Sequence, residues 1–520
     1  MPKSPARVAL PQLPAAVDPG CGGWPDAGEK KEKCAVFGVW GTTDPVGHAY
    51  TALYAQQHRG QESAGIAGTS GRTITGHTGM GLVAEVFDEL TLVRLRAADP
   101  VATIGHNRYS TTGESSDLNA QPLVQTMPRG QIALAHNGNL VNARAMRRRF
   151  GEQGHLFRTT SDTEVIIHLL AGPEQQAAPD PVAATLRRLQ GAFSLLMLFE
   201  DRLEAARDPW GFRPLALGTM PDGSPVVASE TVAFDVLGAT FEREVEPGEI
   251  VTLGFDGVSS RRFAPAAERT AMCVFEHVYF ASPASTVFGQ NVQTFREDLG
   301  ATLWAEDDLL RDDPPDYVMP MPDSGRSAAN GYARASGVPY REGIVPNRYV
   351  GRTFIKPTQG ERETAVRLKL NVIGEIVRGK RVVVVDDSIV RGTTTRLKMR
   401  QIYDAGAAEI HLRISCPPIR HPCYFGVDFA RKNELVANGR DPEQIRQFLG
   451  VDSLRFLSLD GMLGCAAHGP DRYCTACWSG EYRIDVHHPT TEQFIDPDQG
   501  RMFANGRGEP APAENPAARP

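Results

Sequence analysis

The sequence runs to 520 residues, too long for one hydrophobic core, so two domains with flanking segments are the natural expectation. Apolar residues make up 41% and charged residues 22%, which argues against wholesale disorder, and a formal net charge of −7 gives no reason to expect nucleic acid or an anionic membrane as the main partner. No apolar run approaches the ~18 residues of a membrane span, and eight cysteines in so long a chain suit a reducing cytoplasm better than a disulfide scaffold.

Residues 1–33 are rich in Pro, Ala, Gly and Lys without hydrophobic periodicity and are expected to form a disordered leader. From Cys34 to about residue 265, short β-rich runs ("CAVFGVW", "QIALAHNG", "AFSLLMLF", "SPVVASE") are broken by Gly, Asn and Asp turns. Helical stretches interrupt them, and "SDTEVIIHLLAG" opens with a capping-box pattern, Ser161 to Glu164. An α+β domain with layered sheets is predicted. Over residues 270–465 strand–loop–helix units take over: "PDYVMPMPDSG" with "RSAANGYARASGVPY", then "GKRVVVVDDSIVRGTTT" with "RLKMRQIYDAGA", and a further strand in "AEIHLRISCPP". Valines without alternation suit a strand buried on both faces, so an α/β domain with a mostly parallel sheet is expected. A cysteine-containing segment over 466–496 and a frayed tail over 497–520 complete the chain.

The run "VVVVDDSIVRGTTT" carries the strongest chemistry. Its strand delivers Asp386 and Asp387 to the carboxyl end of the sheet, and a small, hydroxyl-rich loop (Ser388, Gly392, Thr393, Thr394) then enters a helix. Amides and hydroxyls at a helix N-terminus cradle phosphate, and the paired acids can hold ribose hydroxyls or Mg²⁺ beside it. An ordinary βα turn with surface acids is the bland alternative. The upstream "GEIVRGKR" imitates a P-loop but has Arg381 in place of the Mg²⁺-binding Ser or Thr and precedes its strand. The motif resembles that of type I phosphoribosyltransferases. "MPDSG" (Asp323, Ser324, Gly325) would be a second loop at the same sheet edge. Between them, residues 347–369 carry six cations against two acids and are expected to act as a lid.

Cys34 opens the first strand, with no histidine in an evident pairing nearby. An N-terminal nucleophile uses its own α-amine as base, which would require residues 1–33 to be removed. A buried structural cysteine is the competing reading. Three other stretches favour the nucleophile. Arg108 in "GHNRYSTTG" suits a carboxylate; Asn137 and the backbone of Gly138 in "HNGNL" suit an oxyanion; Asp162 in "TTSDTE" suits an ammonium. Cation, anion, oxyanion donors and thiol are what hydrolysis of a free amino acid's side-chain amide requires.

With these motifs, and with "LYAQQHRGQESAGI", "RDPWGFRPLA", "ASET" and "VEPGEIV", the chain from Cys34 to about Tyr482 closely resembles the amidophosphoribosyltransferase family. The glutaminase set alone would fit several class II amidotransferases; the phosphoribosyl loop selects this family. The resemblance implies an N-terminal-nucleophile (Ntn) glutaminase domain followed by a type I phosphoribosyltransferase domain. It implies that Cys34 attacks glutamine, that Asn137 and Gly138 stabilise the oxyanion, and that Arg108 and Asp162 grip the amino-acid end. Ammonia would pass to C1 of phosphoribosyl pyrophosphate, giving 5-phosphoribosylamine, glutamate and pyrophosphate, with Mg²⁺ near Ser324, Asp386 and Asp387. A homotetramer inhibited by purine nucleotides is also implied.

"YCTACWSGEY" places Cys474 and Cys477 in a C-x-x-C spacing, compatible with zinc, iron–sulfur, a redox pair or chance, the redox pair being disfavoured outside a thioredoxin-like context. Long-form members of the family carry a [4Fe–4S] cluster, and the matching positions are Cys273, Cys423, Cys474 and Cys477; four-thiolate zinc is the runner-up. Cys416 and Cys465 read as small apolar residues, and Cys21 belongs to the leader. One departure stands out: family members commonly read Arg-Pro-Asp-Ser where this chain has "SPAS", Ser282 to Ser285. Two rival classes remain, a phosphoribosyl-binding sensor and an inactive paralogue whose leader is never cut.

Overall fold

A computed structural model describes residues 34–109, 116–347, 370–427 and 432–486. The leader, the lid stretch (Arg348, Arg352, Lys356, Arg362, Arg367 and Lys369 included) and the tail lie outside the described residues.

Two antiparallel sheets face each other in the first part of the chain. Seven strands make one, with Ala35–Trp40 near its centre between Pro225–Ala228 and Ala102–Arg108; six make the other, centred on Gly191–Phe199 beside Gly130–Leu140. Side-chain alternation explains the layering. In Ala35–Trp40, Val36 and Trp40 point inward to a core shared with Ala133, Ala135, Leu196 and Leu203 of the facing sheet. Phe37 and Val39 point outward against Val46, Ala49 and Leu53 of the helix Pro45–Ala55. Beyond the six-stranded sheet, Leu134, Phe193 and Leu195 meet Val165, Ile166 and Leu169 of the helix Thr163–Leu170. Helices thus cover both outer faces. Gly38 lets the sheets approach, since a Cβ there would stand 2.8 Å from Leu203 Cδ1.

The second part is built on four parallel strands in the order Tyr317–Pro320, Arg381–Asp386, Glu409–Ile414 and Ser453–Phe456. Val382, Val383, Val384 and Val385 are all fully buried, as an unbroken valine run in a two-sided sheet requires. Helices Val292–Ala305 and Arg326–Ser336 pack together through Gly300 and Gly331. The upstream segment Gly374–Val377 is a single helical turn ahead of its strand, and Lys380 pairs with Asp316 at 3.0 Å.

One expected local feature takes another form. The helix after "TTS" begins at Thr163 with Asp162 at its N-cap, and Ser161 and Glu164 do not form a reciprocal box. The Ser161 amide is taken by Asn119 Oδ1 and Thr159 Oγ1, at 3.1 and 3.2 Å, and Glu164 instead accepts the amides of Arg158 and Thr159.

The glycine-mediated helix contact gives a direct test. A Cβ on Gly331 would lie 1.9 Å from the Glu297 carbonyl oxygen, a backbone atom that cannot swing aside. Gly331→Ala is expected to destabilise the phosphoribosyl half by about 1–3 kcal/mol, read as a lower unfolding midpoint in urea.

Candidate functional site

Cys34 precedes the strand whose first residue, Ala35, pairs with Asn107, so it lies beside the end of Ala102–Arg108. The facing sheet supplies residues 136–138, because buried His106 donates from Nε2 to the His136 carbonyl at 3.1 Å. Burial drives the His106 pKa down to about 3, so the ring is neutral. Three chain segments therefore converge at one end of the sandwich.

At Cys34 the thiol points towards the Tyr109 carbonyl, 3.8 Å away, while its own carbonyl accepts Nε–H of Arg59 at 3.1 Å. Ser229 of "ASET" fixes the next turn of backbone, accepting the Val36 amide at 2.9 Å. Burial pushes the thiol up from its usual range; the Arg108 cation opposes this, and the Glu62 and Asp162 carboxylates reinforce it. The thiol is thus not ionised beforehand, and its proton must leave as it attacks.

Arg108 is buried and bonds Glu62 at 2.9 Å. Asp162 accepts the Leu140 amide at 2.9 Å through Oδ2, which lies 3.6 Å from His136 Nδ1. Asn137 is 1% exposed, and its Nδ2 has no partner among the described residues. Such an orphaned donor is costly unless a ligand uses it. Beside it, Gly138 tolerates no side chain: a Cβ would lie 2.0 Å from the Ala192 carbonyl oxygen.

In the parallel sheet the second pair of loops meets. Ser324 donates to Asp386 at 3.3 Å, and Asp387 accepts the Ser388 hydroxyl at 2.7 Å. All three loop residues Asp386, Asp387 and Ser388 are buried. Gly392 caps the helix Thr393–Asp404 with φ of 76°, a left-handed turn that suits glycine, and Thr393 stands exposed while Thr394 is half-buried. Gly325 brings its loop against the neighbouring strand, where a Cβ would lie 2.2 Å from the Val385 carbonyl oxygen. Arg296, which sequence reading did not single out, is buried, donates to the carbonyls of His277 and Ala281, and is held near pKa 10 by burial against the pull of Asp387 and Glu230.

The cysteines Cys273, Cys423, Cys474 and Cys477 gather at a third place. Cys273 and Cys474 lie opposite each other on a two-stranded parallel ribbon, and Cys477 lends its carbonyl to the amides of Arg420 and His421 at 3.0 Å each. Burial raises the pKa of all four thiols, and Cys474 and Cys477 each feel the charges of Cys273 and Cys423. Cys416 is buried in the same neighbourhood, whereas Cys465 bonds Thr302 and Gly461 elsewhere. The seven described cysteines are free thiols. Among the described residues, no set of three or more His, Cys, Asp or Glu side chains is arranged to hold a metal ion.

Sequence reading missed a buried charge cluster between these centres. Arg59 and Arg213 pair with Glu230 and Glu276, all four shielded from solvent. Glu230 also accepts the Ser282 amide at 2.9 Å and the Ser285 hydroxyl at 2.7 Å, so the "SPAS" departure still contacts the first domain, through neutral groups. Arg59, Arg213 and Glu230 lay in quoted runs ("QQHRG", "GFRPL", "ASET"), but nothing local marks which distant charge each one meets.

Comparison with known proteins gives a consistent set of likenesses. A family model described as "Glutamine amidotransferase domain" matches residues 106–236. The amidophosphoribosyltransferase of Bacillus subtilis (strain 168) is 45% identical over 466 residues, 88% of this chain and 96% of that protein. That of Methanothermobacter thermautotrophicus is 47% identical over 460 residues, 87% of this chain and 95% of that protein. Among solved structures, the B. subtilis glutamine phosphoribosylpyrophosphate amidotransferase complexed with ADP and GMP matches with a TM-score of 0.80 at 43% identity, covering 88% of this chain and 98% of that one.

Glu164 anchors the loop that leads into Asp162. Burial would raise its carboxyl, but His168, the Arg158 and Thr159 amides and the Thr159 hydroxyl outweigh that and hold it at about 2. Its stabilisation is full above the unfolded value and fades as pH falls through about 2. Glu164→Gln is expected to lower stability by about 1–2 kcal/mol at pH 7 and progressively less in acid, measured by denaturant unfolding across pH.

Proposed function

This chain belongs to the amidophosphoribosyltransferase family, and on that premise we propose how its residues divide the reaction. The chain is a glutamine amidotransferase of purine biosynthesis. It converts phosphoribosyl pyrophosphate, glutamine and water to 5-phosphoribosylamine, glutamate and pyrophosphate, the first committed step of that pathway.

Cys34 is the nucleophile, with its own α-amine as base once residues 1–33 are removed. The raised thiol supports this, because a thiol that does not ionise in advance needs an acceptor at the moment of attack. Asn137 Nδ2 and the Gly138 amide receive the oxyanion. Arg108, held in place by Glu62, takes the substrate carboxylate, and Asp162 takes the ammonium. The observation that carries the glutamine half is Asn137: a buried amide donor without a partner among the described residues, beside a glycine that cannot be replaced.

In the second half, Asp386 and Asp387 hold the ribose hydroxyls, and Ser388, Gly392, Thr393 and Thr394 hold the 5-phosphate at the helix N-terminus. Ser324 with Asp386 and Asp387 is an all-oxygen donor set of the kind Mg²⁺ takes, and the ion would neutralise the pyrophosphate as it leaves. Ammonia from the first half attacks C1, and water must be kept away, since it would compete for the same carbon. Cys273, Cys423, Cys474 and Cys477 are buried thiols in one neighbourhood whose donor chemistry would suit a [4Fe–4S] cluster, although as they stand they are not arranged around an ion; zinc is the alternative that iron and zinc analysis would separate. A cluster there would tie the C-terminal segment to the start of the second domain. We further propose a cytoplasmic homotetramer regulated by purine nucleotides; the B. subtilis relative is complexed with ADP and GMP.

Intact mass and the N-terminal residue test the nucleophile directly. The active protein is expected to begin at Cys34, and a fully glutamine-active species that retains residues 1–33 overturns the assignment. Asn137→Ala is expected to lower glutamine-dependent kcat by roughly 10²–10³ while pyrophosphate release with added ammonia persists. Equal loss of both activities would place Asn137 outside the oxyanion site.

A further inference from the structure

The buried charge cluster joins the two halves at the nucleophile. Glu276 lies in a π-helical turn, Glu276–Phe280, whose neighbours Val274, Phe275 and Val278 belong to the core of the phosphoribosyl half. Its carboxylate nevertheless faces the glutaminase half. It grips Arg59 with both oxygens, at 3.0 and 3.2 Å, and accepts Arg213 at 3.0 Å. Arg59 is fully buried, and besides Glu276 it has Glu230 at 2.5 Å and, through Nε, the Cys34 carbonyl at 3.1 Å. A planar guanidinium held on three sides has one orientation, so its Nε–H fixes one orientation of the Cys34 peptide. The same turn is tethered from behind by Arg296, which bonds the carbonyls of His277 and Ala281 and feels the charge of Asp387. π-Helical turns are rare and concentrate where geometry is functionally constrained.

We propose that Glu276 is a positioning residue for glutamine hydrolysis: supplied by the phosphoribosyl half, it orients Arg59 and through it the backbone of Cys34. The glutaminase half is therefore incomplete without this one carboxylate from the other half. Glu230 alone does not replace it. One Glu230 oxygen bonds Arg59 and His58, and the other is taken by Ser282 and Ser285. Glutamine affinity is set separately by Arg108 and Asp162, so the effect falls on turnover and not on binding.

The inference rests on the glutaminase assignment above, and the enzyme itself carries the control. Glutamine-dependent and ammonia-dependent pyrophosphate release are measured on full-length Glu276→Gln and Glu276→Asp, with unfolding temperature alongside. Glu276→Asp keeps the charge, so the fold survives, but it cannot reach both guanidinium nitrogens. For Glu276→Asp glutamine-dependent kcat is expected to fall at least about tenfold, with glutamine KM within about twofold of wild type and the ammonia-dependent rate unchanged. Glu276→Gln, which takes a carboxylate from the buried arginines, is expected to lose glutamine turnover and to lower the unfolding temperature as well. A Glu276→Asp protein that is folded and turns over glutamine at the wild-type rate overturns the proposal. So does a parallel fall of both activities, which would mark Glu276 as structural only. If the wild-type enzyme itself uses ammonia but not glutamine, the glutaminase assignment fails first.

Discussion

Two arginines and two glutamates, withdrawn from water where the halves meet, constrain the molecule more than any other contact. A buried charge is tolerated only when fully matched, and removing one partner leaves an uncompensated ion in a low dielectric. Here Arg59 and Glu230 come from the first half, as does Arg213, from the connection between its strands Arg202–Arg207 and Ala216–Thr219, and Glu276 comes from the second half. Arg213 also reaches the Phe425 carbonyl. The seam is therefore a registry device: hydrophobic surfaces could slide, but this cluster is satisfied in one arrangement. Because Arg59 ends on the Cys34 carbonyl, that arrangement is also the one in which the nucleophile is oriented.

Around this cluster the apolar contacts complete the docking. Phe212 stacks on Phe425 with centroids 4.3 Å apart, within a small core that also includes Val141, Ala271, Ile484 and Val486. Asn139 reaches the Tyr424 carbonyl at 2.8 Å, and Gly426 packs on the backbone of Gly138, where a Cβ would lie 3.1 Å away. The end of the strand that carries the orphaned Asn137 donor is thus pressed on one side by Ala192 and on the other by the segment after Cys423. An oxyanion donor works by being fixed before charge develops, and close packing on both sides does that.

Much of this was legible in the sequence, for a physical reason. The valine strand, the acid pair and the hydroxyl loop lie within fourteen consecutive residues, so one stretch of chain states both the fold element and its chemistry. Arg108, Asn137 and Asp162 could be picked out because each residue type suits one part of a substrate. What stayed hidden was pairing. Glu62 beside Arg108, Glu276 beside Arg59 and Arg296 within reach of Asp387 depend on which distant segments fold together, and a lone charge in a sequence does not declare its partner. The Ser161–Glu164 box failed likewise: a nonlocal acceptor, Asn119, took the amide that the local pattern had assigned. The fold placed the four cysteines near one another, which spacing alone did not require.

The short ribbon that pairs Met272 and Cys273 with Tyr473 and Cys474 has a consequence for how the protein is made. Its two strands leave the ribosome about 200 residues apart, which at ~5–20 residues per second is a delay of roughly 10–40 s. Until then the start of the second half lacks its ribbon partner, and Phe212 lacks the Ile484 and Val486 side chains that finish its covering. The nascent chain carries a folded sandwich with an exposed apolar seam for that whole interval, so an early stop or a stalled ribosome late in the message leaves a sticky fragment and not a smaller working enzyme.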